Sequence, residues 1–227
     1  MLLIQNLTAK IEDKIILNNI NLEIKTGQTI ALIGHNGSGK SSLAQVISGN
    51  KDYIISPEAK ILFIEQNIIE LEPHVISRLG IFVSFQNPIE VPNVPILSFL
   101  KLISDEARIA KGLIKYSAKE FMVQTRTNLA LLNWDESWLK RNLNEGMSGG
   151  EKKKCEMLQL LTLDPSLIIL DEVDSGLDSE SLQTIGKILQ KLQSENKTLV
   201  IVTHNKKILE YLQVDGEIKM KDGRILI

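Results

Sequence analysis

The segment Gly34-His35-Asn36-Gly37-Ser38-Gly39-Lys40-Ser41 constrains this chain more than any other. It fits the pattern G-x-x-x-x-G-K-[ST] and lies between the apolar run Gln28 to Ile33 and a helix-patterned stretch that begins at Lys40. The run is apolar on both faces at its end, as a buried parallel strand requires, and a parallel strand commits the chain to crossover connections and a layered α/β fold. In that setting the glycines let the backbone curl until successive N–H groups point inward at phosphate oxygens. The helix start adds partial positive charge behind them. Gly34, Asn36, Gly37, Ser38, Gly39 and Ser42 are therefore expected to line a bound polyphosphate. Lys40 is expected to reach its β- and γ-phosphates, and Ser41 to present a hydroxyl to Mg²⁺.

The rest of the chain supplies strands and helices for such a fold. Leu2 to Ile11 and Lys14 to Ile24 read as strands joined at Glu12-Asp13 into an antiparallel hairpin. Ile61 to Ile64 and Ile81 to Phe85 are further strand candidates. From Pro95 to about Leu163 periods near 3.6 dominate, which predicts a mostly helical lobe. Strand patterns return at Leu167 to Leu170 and Thr198 to Val202, with a helix from Ser179 to about Ser194 between them, and Asp222-Gly223 marks a closing hairpin. The expectation is one domain, 1–227, with a core lobe of about 1–94 and 164–227 and a helical lobe of about 95–163.

Composition narrows the partners. A net charge of -2 argues against a surface that coats nucleic acid, since neutralising phosphates needs an excess of Lys and Arg. No run approaches the ~18 apolar residues of a membrane span, so no direct membrane insertion is expected. Met1 to Asn6 lacks the basic and apolar regions of a signal peptide. The single cysteine, Cys155, sits in an apolar-periodic stretch and is expected to be a packed core thiol. A cytoplasmic protein is the expectation.

Leu167-Ile168-Ile169-Leu170-Asp171-Glu172 delivers two carboxylates at the end of a buried strand. Behind a phosphate-binding loop, the first of them, Asp171, is expected to hold Mg²⁺. Glu172 is placed to polarise an attacking water as general base. Met147-Ser148-Gly149-Gly150-Glu151 begins another helix, and Ser148, Gly149 and Gly150 form a second anion cradle. One nucleotide does not need two, so the second is expected to cap a nucleotide bound by another copy.

Together these residues resemble the ATP-binding-cassette family, with Met147 to Glu151 similar to its L-S-G-G-Q signature. The resemblance spans essentially the whole chain. It implies an α/β fold of the P-loop NTPase ABC ATPase type: a mixed sheet core with an N-terminal antiparallel part and an inserted helical lobe. It also implies ATP and Mg²⁺ as ligands. Gln86 matches the glutamine that senses Mg²⁺ and water, Asp178 lies in the loop that crosses to a partner copy, and His204 matches the histidine that holds the γ-phosphate. Ile11 stands where many members stack an aromatic ring on adenine. Three stretches look more narrowly like the SufC-type ATPases of SUF iron–sulfur cluster assembly. They are Ile11 to Leu17, Gly80 to Val94 and Ser148 to Asp178, the second with its Phe-Gln-x-Pro-x-Glu-x-Pro-x-Val run. That resemblance implies SufB- and SufD-like scaffold subunits as partners, beside an ATP-dependent homodimer. The alternatives are the nucleotide-binding subunit of a membrane transporter, or an ATP-dependent clamp with little turnover.

Overall fold

The computed structural model describes residues 1–86, 88–204 and 207–226. The chain opens with β1 (Leu2–Ile11), β2 (Lys14–Ile24) and β3 (Thr29–Ile33), then α1 (Lys40–Ile47). Short pieces follow: β4 (Ile54–Ile55), β5 (Lys60–Phe63), β6 (Gln66–Asn67), α2 (Pro73–Arg78) and β7 (Ile81–Val83). After β8 (Val91–Pro95) come α3 (Ile96–Ala110), α4 (Ala118–Leu131), β9 (Asn142–Leu143) and α5 (Gly149–Leu163). The chain then returns through β10 (Leu167–Asp171), α6 (Ser179–Ser194), β11 (Thr198–Val202), β12 (Gly216–Lys221) and β13 (Arg224–Leu226). Among the described residues no helix is long and apolar enough to cross a membrane.

Two large sheets result. One is antiparallel, in the order β2-β1-β5-β6 with β4 beside β1; the other has six strands in the order β13-β12-β3-β11-β10-β7. From β12 to β7 every neighbouring pair of the second sheet is parallel, and only β13 runs against its neighbour. This is the ABC ATPase fold expected from the sequence, with α3, α4 and α5 inserted between β7 and β10.

The two-residue side-chain period of a strand explains why the central strands are apolar throughout. Ile30, Leu32, Leu167, Ile169, Val200 and Val202 face a core shared with α1 and the antiparallel sheet. Ile168, Leu170, Leu199 and Ile201 face a second core shared with α5, α6 and the inserted helices. Each strand is thus buried on both faces, and Cys155, with no exposed surface, packs in the second core. Burial pushes its thiol up to about 11.

Candidate active site

Parallel register brings four strand ends to one edge of the sheet. Leu32 pairs with Val202, Val202 with Asp171, and Val83 with Ile169 two residues before that end. The loops leaving β3, β11, β10 and β7 carry Gly34 to Lys40, His204, Glu172 and Gln86 in that order. Ligands of open α/β sheets bind outside these carboxyl ends.

The loop after β3 is built around glycines that admit no other residue without displacement. A Cβ on Gly34 would meet the Met220 carbonyl oxygen at 2.4 Å and Ser38 Oγ at 2.7 Å. Gly39, the residue before α1, has φ +100°, a left-handed conformation that disfavours side chains. The first turns of α4, α5 and α6 are capped by the side chains of Ser117, Ser148 and Asp178. That of α1 has no side-chain cap, so its backbone donors face the loop, where an anion would be held. Lys40 is almost fully buried, and its ammonium donates to the carbonyls of Gly34 at 2.9 Å and His35 at 3.0 Å. Ser38 is buried, Ser41 and Ser42 are half-buried, and Asn36 and Gly37 are exposed on the outer side of the loop. His35 is exposed and lies 3.8 Å from Asp222.

Asp171 ends β10 in the interior, and its Oδ1 is buried with no protein partner. Burial pushes its carboxyl above the usual range, while a hydrogen bond from Ser41 pulls it down. A buried carboxylate oxygen without a donor, next to a hydroxyl and beside a phosphate cradle, is the oxygen-donor set that Mg²⁺ takes, with waters and phosphates completing it. The fit is good: Ser41 and Asp171 would hold the ion, which would neutralise charge on the phosphates when bound.

Glu172 has φ +50°, a left-handed backbone that is unusual and costly for a side chain of this type. Its N–H donates to the Val202 carbonyl at 2.8 Å, which ties the turn to β11. His204 Nδ1 lies 3.2 Å from Glu172 Oε1, so the two residues named as catalytic from sequence are in contact. The residue before this histidine is anchored as well: the Thr203 hydroxyl meets both carboxylate oxygens of buried Asp174 at 3.0 Å. Asp174 and Thr203 were not singled out from the sequence. They are 29 residues apart, and only the pairing of β10 with β11 brings them together.

Gln86 is exposed at the root of the segment leaving β7 and borders two cavities. One, of about 350 Å³, also touches Gly149, Lys153, Glu172 and Ser175. The other, of about 570 Å³, reaches Phe85, Phe99, Ile103 and Asp171. Asn87, next to Gln86, lies outside the described residues. Chemically, Glu172 can accept a proton from water, His204 can hold that carboxylate in place, and Lys40 and the loop N–H groups can stabilise phosphate charge.

The remaining expected residues lie apart from the loop after β3. Ser148 begins α5 in a reciprocal cap with Glu151: its hydroxyl accepts from the Glu151 N–H, and its own N–H donates to the Glu151 carboxylate at 2.7 Å. A Cβ on Gly149 would meet nothing, whereas one on Gly150 would lie 3.4 Å from Ser181 Oγ. The Asp178 carboxylate is occupied in capping α6, accepting from the Ser181 N–H at 2.7 Å. Ile11 is exposed and pairs with Lys14 at the tip of the β1–β2 hairpin. Farther along that hairpin, Leu17 packs beside Gly39.

Comparison with known proteins agrees with this arrangement. The ABC transporter family profile matches residues 17–175. A probable ATP-dependent transporter of Synechocystis sp. is 40% identical over 227 residues, which span 100% of this chain and 88% of that protein. A probable ABC transporter ATP-binding protein of Streptococcus pyogenes serotype M3 is 38% identical over 224 residues, 99% of this chain and 86% of that one. Among solved structures, the dimeric ATP-binding cassette MJ0796, in a post-hydrolysis state with ADP and Pi, superposes with a TM-score of 0.82. It is 25% identical, and the match covers 100% of this chain and 97% of that one. With a phosphate-binding loop, a buried carboxylate and a glutamate–histidine pair at one sheet edge, and with these relatives, the chain belongs to the ABC transporter family and is an ABC-type ATPase.

Proposed function

We propose that this chain binds MgATP and hydrolyses it in two composite sites when two copies pair head to tail, and that closure drives a soluble SufB- and SufD-like scaffold in iron–sulfur cluster assembly. The observation that carries the pairing is the separation of two anion cradles within one chain. Gly34 and Gly39 neighbour Met220, Gly223 and Leu17, whereas Gly150 neighbours Leu177 and Ser181. Two cradles with no shared neighbour serve one nucleotide only if a second copy supplies one of them. The related MJ0796 cassette is itself described as a dimer bound to ADP and Pi.

The assembly role is supported by the segment after β7. Its Phe-Gln-x-Pro-x-Glu-x-Pro-x-Val run resembles SufC-type ATPases and borders the 570 Å³ cavity through Phe85 and Gln86. Phe85 and Ile89 are 60% and 68% exposed, apolar surface that a partner could cover. A second reading, the nucleotide-binding subunit of a membrane transporter, is favoured by the relatives' names. The contact between Glu172 and His204 speaks for turnover rather than a passive clamp.

Light scattering on the Glu172→Gln variant tests the pairing: MgATP should double the mass, because ligand that binds only the closed form shifts the equilibrium. An unchanged mass refutes composite sites. Purified SufB- and SufD-like subunits should raise the wild-type ATPase rate. Stimulation by a permease alone would establish transport.

A further inference from the structure

Glu156 and Lys153 sit one turn apart on α5, with side chains only 2% and 7% exposed. Neither contacts solvent freely, and neither was assigned a task by the site described above. Both grip one residue. Glu156 Oε1 accepts from the Phe85 N–H at 2.6 Å, and Lys153 Nζ donates to the Phe85 carbonyl at 2.9 Å and to Glu156 Oε2 at 3.3 Å. The Phe85 carbonyl belongs to the peptide that leads into Gln86. On the other side, the Ser84 N–H donates to the Ile169 carbonyl at 2.9 Å and Ser84 Oγ accepts from the Asp171 N–H at 2.7 Å. The two residues before Gln86 are thus fixed to β10 on one side and to α5 on the other.

We propose that Lys153 and Glu156 are positioning residues for Gln86: their grip on the Phe85 peptides sets Gln86 relative to Glu172 and to the signature turn that begins α5. This rests on the reading of Gln86 as part of the hydrolytic site. A buried ion pair adds little stability over apolar packing of the same volume. What this pair supplies, and apolar side chains could not, is a two-point hydrogen-bonded hold on a single backbone residue. The same α5 carries Ser148 at its N-terminus, so a displacement of Phe85 moves both a hydrolytic side chain and the cradle offered to the other copy. The Phe85 ring faces the larger cavity, so a partner that presses on it acts on this hold directly.

The test is a double-mutant cycle on steady-state ATP hydrolysis. Lys153→Met with Glu156→Gln removes both charges together and leaves no unpaired ion, while the amide oxygen can still accept from Phe85. Misplacing a reacting group by about 1 Å costs up to about 10²-fold. The double variant should therefore lose at least about tenfold in kcat, with KM for MgATP within about twofold. In a Gln86→Ala background the same replacement should change kcat by less than about twofold, because coupled sites are not additive. Lys153→Arg, which keeps the donor and the charge, should recover most of the rate. Hydrogen exchange on the unaltered protein gives a second measurement: the Phe85 amide should exchange as slowly as the middle of α5. An equal loss in both backgrounds, an unchanged kcat, or a fast-exchanging Phe85 amide would each overturn the positioning role. A Gln86→Ala enzyme with undiminished kcat would overturn the reading of Gln86 itself, and the positioning role with it.

Discussion

Replacing Glu172 separates its chemical task from its backbone cost. Glu172→Gln keeps the shape, the left-handed backbone and a partner for His204, but it cannot accept a proton. Loss of a general base costs typically 10²- to 10⁴-fold, about 2.7 to 5.5 kcal/mol in the barrier. Nucleotide binding should survive, because the loop after β3 is untouched. Glu172→Gly should lose turnover as well, yet fold more stably. At φ +50° a side chain is strained by about 1 kcal/mol or more, and glycine removes that strain. It also removes a like charge that pushes Asp171 up, and it gives up the 3.2 Å contact with His204. A net gain of about 1 kcal/mol in a domain of this size raises Tm by about 2–4 °C. Phosphate release at saturating MgATP and thermal melting of the nucleotide-free protein read the two effects separately. A Gln variant within threefold of wild type would refute the general base. A Gly variant that melts at or below wild type would refute the strain.

Three further outcomes follow from single residues. Lys40→Ala removes a buried cation bonded to two loop carbonyls; with charged hydrogen bonds worth about 1.5–3 kcal/mol, ATP affinity measured by titration should fall at least tenfold. Ile11 offers no ring to stack on a base, and an aromatic contact is worth about 0.5–1.5 kcal/mol. Competition binding should then place GTP within about tenfold of ATP, and a hundredfold preference for ATP would mean that another residue reads the base. Cys155, its thiol raised to about 11 and fully buried, should resist thiol reagents at pH 8 in the folded protein and react once it is unfolded.

The parts of the fold legible from the sequence are those whose burial is set by local pattern. β1, β2, β10 and β11 run as expected because each is an apolar or alternating run ended by a turn, and the glycine loop and the Asp171-Glu172 pair stand at such ends. β4, β6 and β9 are two residues long, too short to show a period, and exist because a partner strand lies beside them. α2 begins at Pro73 and lasts six residues, with no repeat to reveal it. In the site, the roles that rest on one residue and its neighbours were legible. Those that need two distant segments were not: Thr203 on Asp174, and Lys153 with Glu156 on Phe85. Lys153 sits in a run of three lysines that resembles a solvated face, and Glu156 lies in the otherwise apolar stripe with Cys155 and Leu160. A charged residue in an apolar stripe, three positions from an opposite charge, was the available signal.

The chain crosses between the sheet and the inserted helices twice, and the two crossings are built differently. The return, between α5 and β10, is three residues long, and the Gly80 carbonyl accepts from the N–H groups of Ser166 and Leu167 at 2.8 and 3.0 Å. The sheet end before β7 thus holds it through short backbone bonds. The outgoing crossing, from Ser84 to Glu90, is held by side chains: Ser84 on Asp171, Lys153 and Glu156 on Phe85, and Lys152 on Glu90 at 2.7 Å. Side-chain bonds can lengthen or exchange with rotamer changes, whereas strand-end backbone bonds break only with the sheet. A rotation of the inserted helices should therefore pivot at the return crossing and be felt at the outgoing one, where Gln86 lies. Hydrogen exchange with and without MgATP would show it, as altered protection at Ser84 and Phe85 with Ser166 and Leu167 unchanged. Equal changes at both crossings would refute the pivot.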